Sequence, residues 1–278
     1  MNPEGIDKQQ LKQAYTTIKG IKIPSIPKTL MSLQQELNRE QPDQTKIISL
    51  IGEDISLSGR IIQNINSAKF SLAAEVTSIE HATIILGVRN LSEMIVATAL
   101  RKALEDSLPG FVTITEYSNK VGIAARMIAS KSGLSDPESA FLMGLFHKAG
   151  TMLLMQKFDN YAQIHDQYKY DPNTLLKKEL ALFGCNYATV SFILAHHWKL
   201  PALTAQAIAC HLTMSSSIDN DTLRLFIATL QIASYLTQST ERNFEESDSS
   251  IAIKKQAMKE LNFDNNSLQD LSDKISEM

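Results

Sequence analysis

The run GLFHKAGTMLL, residues 144–154, places a histidine and a lysine inside an otherwise apolar, helix-forming stretch. Polar side chains on a buried helical face need a partner or a task. A metal hydrolase needs several histidines or carboxylates converging from different helices, with one position open for water. The six histidines are His81, His147, His165, His196, His197 and His211, and only His147 opens a local segment of that kind. His196 and His197 are neighbours on a helix, so they face different directions and cannot serve one site. They are expected at a helix-end surface, beside a Trp198 that anchors helix packing.

Outward from this run the helical period dominates. Val88, Leu91, Ile95, Val96, Ala99, Leu100, Ala103 and Leu104 form one apolar face. Prolines fall where helices start or stop, as at Pro137, Pro172 and Pro201. Ser135 with Glu138 reads as a capping box, and Asp171-Pro172 as a second start. Gly20, Gly87, Gly133 and Gly184 close periodic runs. Helices are expected at about 6–19, 26–39, 43–53, 56–68, 78–86, 88–107, 115–132, 136–157, 159–169, 172–183, 186–197, 201–213, 220–239, 251–261 and 266–277. FVTIT, residues 111–115, has β character without a partner strand, so an extended linker is expected there. ERNFEESDSS, 241–250, reads as a solvated loop before two amphipathic helices that dock as a C-terminal pair.

Composition narrows the classes. Among 278 residues, 27 Lys and Arg against 30 Asp and Glu give a net charge of 27 − 30 = −3. Apolar residues at 44% exclude a disordered chain. No signal-peptide h-region or spanning run is visible, so a cytoplasmic protein without membrane contact is expected. Cys185 and Cys210 are expected as buried free thiols. Arg60, Lys69, Arg89, Arg101 and Lys102 alternate with Glu53, Asp54, Glu80, Glu93, Glu105 and Asp106, a solvated face rather than a nucleic-acid patch. Asp54, Asn66 and Ser67 are expected to satisfy helix-terminal backbone groups.

Further stretches carry a family likeness. GLFHKAGTMLL resembles the helix of the HD phosphohydrolases that holds a His-Asp pair. IPSIPKTLMSL (23–33), EDISLSGRIIQNINSAKFS (53–71), TSIEHATIILGVRNLSEMIVATAL (77–100) and HWKLPALTAQAIACH (197–211) resemble the HDOD domain, the HD-related output domain. The resemblance implies an all-α, HD-like bundle of two intimate lobes and a regulatory role in bacterial signalling. It divides the chain into an N-terminal extension (1–20), an HDOD domain (21–240, with lobes 21–108 and 109–240) and a loop with C-terminal helices (241–278).

Position by position, the resemblance puts Tyr117, the pair His147-Lys148, Tyr187, His211-Leu212 and Ser234 where catalytic relatives keep metal ligands. His147 and His211 alone retain a ligand's chemistry. Lys148 brings a positive charge where an aspartate would bring a negative one, and a protonated ammonium has no lone pair to donate. Phenols are poor ligands unless deprotonated. The expectation is therefore no catalytic metal, no cofactor and no enzyme activity. Tyr117, His147, Lys148, Tyr187 and His211 instead line a vestigial pocket. Only about 20 residues precede the likeness, so output is expected through a protein partner or through a nucleotide or anionic ligand. The competing expectation is a residual metal-dependent phosphohydrolase acting on nucleotides or cyclic dinucleotides.

Overall fold

The computed structural model describes residues 7–21, 23, 28–37, 39, 41–52, 55–66, 75–107, 111–134, 136–213 and 218–277. Among these residues every regular element is an α-helix, as expected, and the helices number fifteen. They fold into two compact units, one of residues 24–110 and the other of residues 1–23 together with 111–278.

The first unit holds α2 (Lys28–Leu37), α3 (Gln44–Gly52), α4 (Ile55–Ile65) and α5 (Ile79–Ser107). Leu33, Ile47, Ile51, Ile61, Ile65, Leu91 and Ile95 are buried in its core. Gly87 breaks the α5 run with φ +75° and ψ 158°, at the boundary its sequence marks. The Asn66 side-chain amide brackets Val76 at 2.7 and 2.8 Å, satisfying a loop backbone. Asp54, Ser67, Glu53 and Lys69 lie outside the described residues.

The second unit holds α1 (Lys8–Thr17), α6 (Val112–Lys131), α7 (Pro137–Phe146), α8 (Ala149–Lys157), α9 (Tyr161–Tyr168), α10 (Pro172–Phe183), α11 (Tyr187–His197), α12 (Ala202–Cys210), α13 (Asp221–Ser239), α14 (Asp248–Glu260) and α15 (Asn265–Ser276). α13 is its central strut, packed against α6, α7, α12, α14 and α15. α1 lies on α11, and the Thr17 hydroxyl donates to the Phe183 carbonyl at 3.2 Å. Trp198 is fully buried edge-on to Phe146, the packing role its sequence suggests. Cys185 and Cys210 are buried and outside any disulfide, also as expected.

Two local expectations are corrected. Residues 112–115 are not a linker but the first turn of α6, where Thr115 is buried and bonds back to the Phe111 carbonyl at 3.0 Å. Packing overrides the β propensity of this short run: the buried Thr115 hydroxyl lies 4.0 Å from the Met152 sulfur of α8. The polar stretch 241–250 ends in structure, since α14 starts at Asp248 behind a Ser247–Ser250 capping box. α7 is capped by Asp136, whose carboxylate accepts the Ser139 N–H at 2.9 Å. Ser135, and with it the expected Ser135–Glu138 box, lies outside the described residues; Glu138 pairs with Arg126 at 2.6 Å. The Asp171 cap is as expected, with the Thr174 N–H at 3.2 Å.

The third difference positions the site. Residues 136–157 form two helices, broken at His147 and Lys148. The Ser191 hydroxyl from α11 inserts at the break: it donates to the His147 carbonyl and accepts the Gly150 N–H, each at 2.8 Å. Gly150 permits this approach, because a Cβ there would stand 2.1 Å from the Tyr187 carbonyl oxygen. A side chain entering the i→i−4 ladder is a recognised cause of helix kinks. Replacing Ser191 with Ala strands a buried carbonyl and a buried N–H. The expected loss is about 2–4 kcal/mol, read from denaturant unfolding followed by Trp198 fluorescence. A loss under about 0.5 kcal/mol would mean that the helix reseals without the hydroxyl.

Candidate functional site

The broken helix delivers His147 and Lys148 to one pocket. Tyr117 from α6, Tyr187 from α11, His211 after α12, and Ser234 from α13 line it with them. All five residues singled out in the sequence therefore converge. Tyr117 and His147 rings lie 5.8 Å apart, His147 and His211 rings 5.6 Å, and Tyr187 and His211 rings 5.5 Å. The Lys148 ammonium sits 3.8 Å from the centre of the Tyr187 ring face, a buried cation–π contact.

Hydrogen bonds fix the protonation pattern. His147 donates its Nδ1–H to the Gly144 carbonyl at 2.6 Å, and His211 donates its Nδ1–H to the Ile208 carbonyl at 2.7 Å. Each ring then keeps its lone pair on Nε2. On His211 that lone pair is taken by the Tyr187 hydroxyl, which donates at 2.9 Å. On His147 it has no hydrogen-bond partner among the described residues. Burial lowers the pKa of both imidazoles, with the nearby Lys148 charge adding to it; His211 falls to about 4 and His147 well below its ordinary value.

Behind the pocket lies a second polar layer. The Lys148 ammonium donates to His165 Nε2 at 3.4 Å. Glu179 accepts the Tyr161 hydroxyl and, at 3.0 Å, the Tyr187 N–H. Burial pushes the Lys148 pKa down and the Glu179 pKa up, while their mutual attraction opposes both shifts. His165 is driven to about 4, first by burial and then by Lys148.

Sequence reasoning missed this layer. One signal was readable: Leu175, Glu179 and Phe183 are the buried i, i+4, i+8 stripe of α10, so a carboxylate stands in a core position. Gln231, a lone amide in the apolar run of α13, is another; it donates to the His211 and Thr213 carbonyls at 2.9 and 2.8 Å. His165 had no such signal.

The donor set does not fit a divalent metal. One histidine lone pair is occupied, an ammonium stands where an anionic ligand would, and neither phenol offers an oxyanion. Burial drives the Tyr117 and Tyr187 pKa values up. Among the described residues no group of three or more His, Cys, Asp or Glu could hold a metal ion. The cavity is about 50 Å³, room for a few waters and far below the several hundred Å³ of a typical organic-ligand site.

An all-α unit with these five residues around one pocket fits the HD-like expectation raised by the sequence. The HDOD domain model matches residues 23–214, and the chain belongs to the HDOD domain family. Solved structures agree in fold. An HDOD domain protein of unknown function from Geobacter sulfurreducens superposes with a TM-score of 0.73 at 22% identity, covering 96% of this chain and 97% of that one. A Shewanella amazonensis chain provisionally named a phosphohydrolase gives 0.72 at 22%, covering 96% and 94%. A Marinobacter aquaeolei chain provisionally named a signal transduction protein gives 0.69 at 18%, covering 99% and 64%. Among curated relatives, an uncharacterized Treponema pallidum protein is 20% identical over 197 residues, 68% of this chain and 37% of that protein. The uncharacterized Bacillus subtilis protein YuxH is 26% identical over 121 residues, 44% and 30%. The chain thus spans about a third of these curated relatives' length.

The electrostatics make a directional prediction. The unfolded chain binds protons on His165 and His211 from pH 6.5 downward, while the folded chain resists until about 4. Their contribution to stability is therefore present above pH 6.5 and lost as pH falls toward 4. Glu179, with a raised pKa, acts in the opposite sense, so imidazole NMR signals are the clean readout. Lys148→Met should move both histidine pKa values upward, and unchanged titrations would contradict the assigned role of the ammonium.

Proposed function

We propose that this chain is a non-catalytic regulatory module of signal transduction, acting by contact with a protein partner or a small ligand. The single observation that carries the reading is the buried Lys148 ammonium. It stands beside two neutral histidines, at the position where the family likeness puts a metal-binding aspartate. A fixed positive charge next to a cation site costs a would-be metal attraction and offers it no lone pair. The signal-transduction name of the Marinobacter relative is in keeping with this role, and that likeness reaches the fold alone.

No helix among the described residues is long and apolar enough to cross a membrane, and we place the module in the cytoplasm. The net charge of −3 favours neither nucleic acid nor an anionic membrane as partner. A cavity of about 50 Å³ favours a small occupant over a whole nucleotide.

The test is turnover. The purified chain, supplied with excess manganese or iron, is offered nucleoside monophosphates and a cyclic dinucleotide. Hydrolysis should match the buffer rate and be the same for His147→Ala. Turnover that His147→Ala abolishes would overturn this reading in favour of a residual phosphohydrolase.

A further inference from the structure

The pocket is lined by three lysines, Lys148, Lys169 and Lys254, and by no aspartate or glutamate among the described residues. Each lysine has a glutamate outside the lining. Lys169 pairs with Glu241 at 2.7 Å, Lys254 pairs with Glu246 at 2.5 Å, and Lys148 feels Glu179. The lysines thus line the cavity and their glutamates do not, although Glu241 and Glu179 are near enough to act on Tyr117 and Tyr187. This bias favours an anion without making a strong trap.

Hydrogen-bond chemistry selects among anions. Four polar atoms of lining residues are buried with no hydrogen-bond partner among the described residues: His147 Nε2, Gln231 Oε1, the Tyr117 hydroxyl and the Ser234 hydroxyl. Ser234 and Gln238 are near enough to influence the Tyr117 phenol, yet its oxygen closes no bond among the described residues. His147 and Gln231 are almost wholly buried, at 1% and 5% exposure. His147 Nε2 is an acceptor, because Nδ1 holds the proton. Gln231 Oε1 is an acceptor too, because its amide nitrogen faces two carbonyls and the reverse orientation would set oxygen against oxygen. The two hydroxyls can donate. Buried groups of this kind call for a partner.

An occupant that suits the set must accept from the hydroxyls and also donate to the imidazole nitrogen, to the amide oxygen or to both. Sulfate and carboxylates only accept at neutral pH. A hydrogenphosphate group accepts through its bare oxygens and donates its one O–H to one of the two acceptors, dihydrogenphosphate reaching both, and its five heavy atoms suit a cavity of about 50 Å³. We infer that this pocket holds a small oxyanion that keeps a proton, a hydrogenphosphate group, either free or at the end of a small phosphomonoester. This deepens the binding reading given above and rests on it.

The experiment titrates the full chain with inorganic phosphate, methyl phosphate and sulfate at pH about 6, where a phosphomonoester still keeps its proton in part, and at matched ionic strength, by calorimetry. Phosphate should bind once per chain, with sulfate weaker by at least ~10-fold. Methyl phosphate binding as well as phosphate would point to a phosphomonoester, and binding of phosphate alone to the free ion. Tyr117→Phe and Ser234→Ala should each weaken phosphate at least ~5-fold without lowering the thermal midpoint, since neither hydroxyl closes a hydrogen bond among the described residues. Equal binding of sulfate and phosphate, unchanged binding by both variants, or no binding up to ~10 mM would overturn the inference; the last would mean that water fills the pocket. None of these touches the non-catalytic reading. Phosphate released from methyl phosphate during the titration would overturn that reading instead.

Discussion

One hydroxyl organises the site. Ser191 occupies the gap in a helix that would otherwise run from residue 137 to 157, bridging the His147 carbonyl and the Gly150 N–H. The kink sets the direction in which the next two side chains leave the backbone. His147 turns back on the Gly144 carbonyl, and Lys148 turns onto the face of Tyr187. The partner helix can come this near because residue 150 has no side chain. Residues 149–157 and 187–197 are thus locked together, and Tyr187 is carried to both Lys148 and His211 by the same contact.

The charge arrangement follows from that geometry. A lysine buried in apolar surroundings is costly unless something answers its charge. Here the answer is distributed. The Tyr187 ring, the neutral His165 and the more distant Glu179 each take part. Glu179 in turn is held by the Tyr161 hydroxyl and the Tyr187 N–H. The result is a cation tethered to the chain. Burial first, and this cation after it, keep both pocket histidines neutral, which preserves the unpartnered lone pair of His147. A pocket with its own ammonium and unsatisfied acceptors suits recognition rather than Lewis-acid chemistry.

Much of this was legible in the sequence, because helical periodicity, prolines and glycines are local signals. The helix ends at Pro172 and Gly184 follow from residue chemistry alone, and the left-handed φ of +73° at Gly184 is what its place after a periodic run demands. The site residues were legible for a different reason: family likeness aligned Tyr117, His147, Lys148, Tyr187 and His211, and the fold brings them together. What stayed hidden depended on distant contacts. Nothing near residue 147 announces a serine 44 positions later that interrupts the helix. The β-prone run after Phe111 becomes helical with Thr115 buried against Met152 of α8, which no local propensity expresses. The polar layer around Glu179 was half visible, as a carboxylate in an apolar stripe, but its partners Tyr161 and Lys148 meet it only in three dimensions.

The most direct measurement of the central claim is paramagnetic. Manganese(II) added to the chain should leave the imidazole resonances of His147 and His211 as sharp as those of buried His165. In this account no cation can settle beside the Lys148 ammonium. Selective broadening of His147 and His211 at substoichiometric manganese would place a metal in the pocket and contradict it.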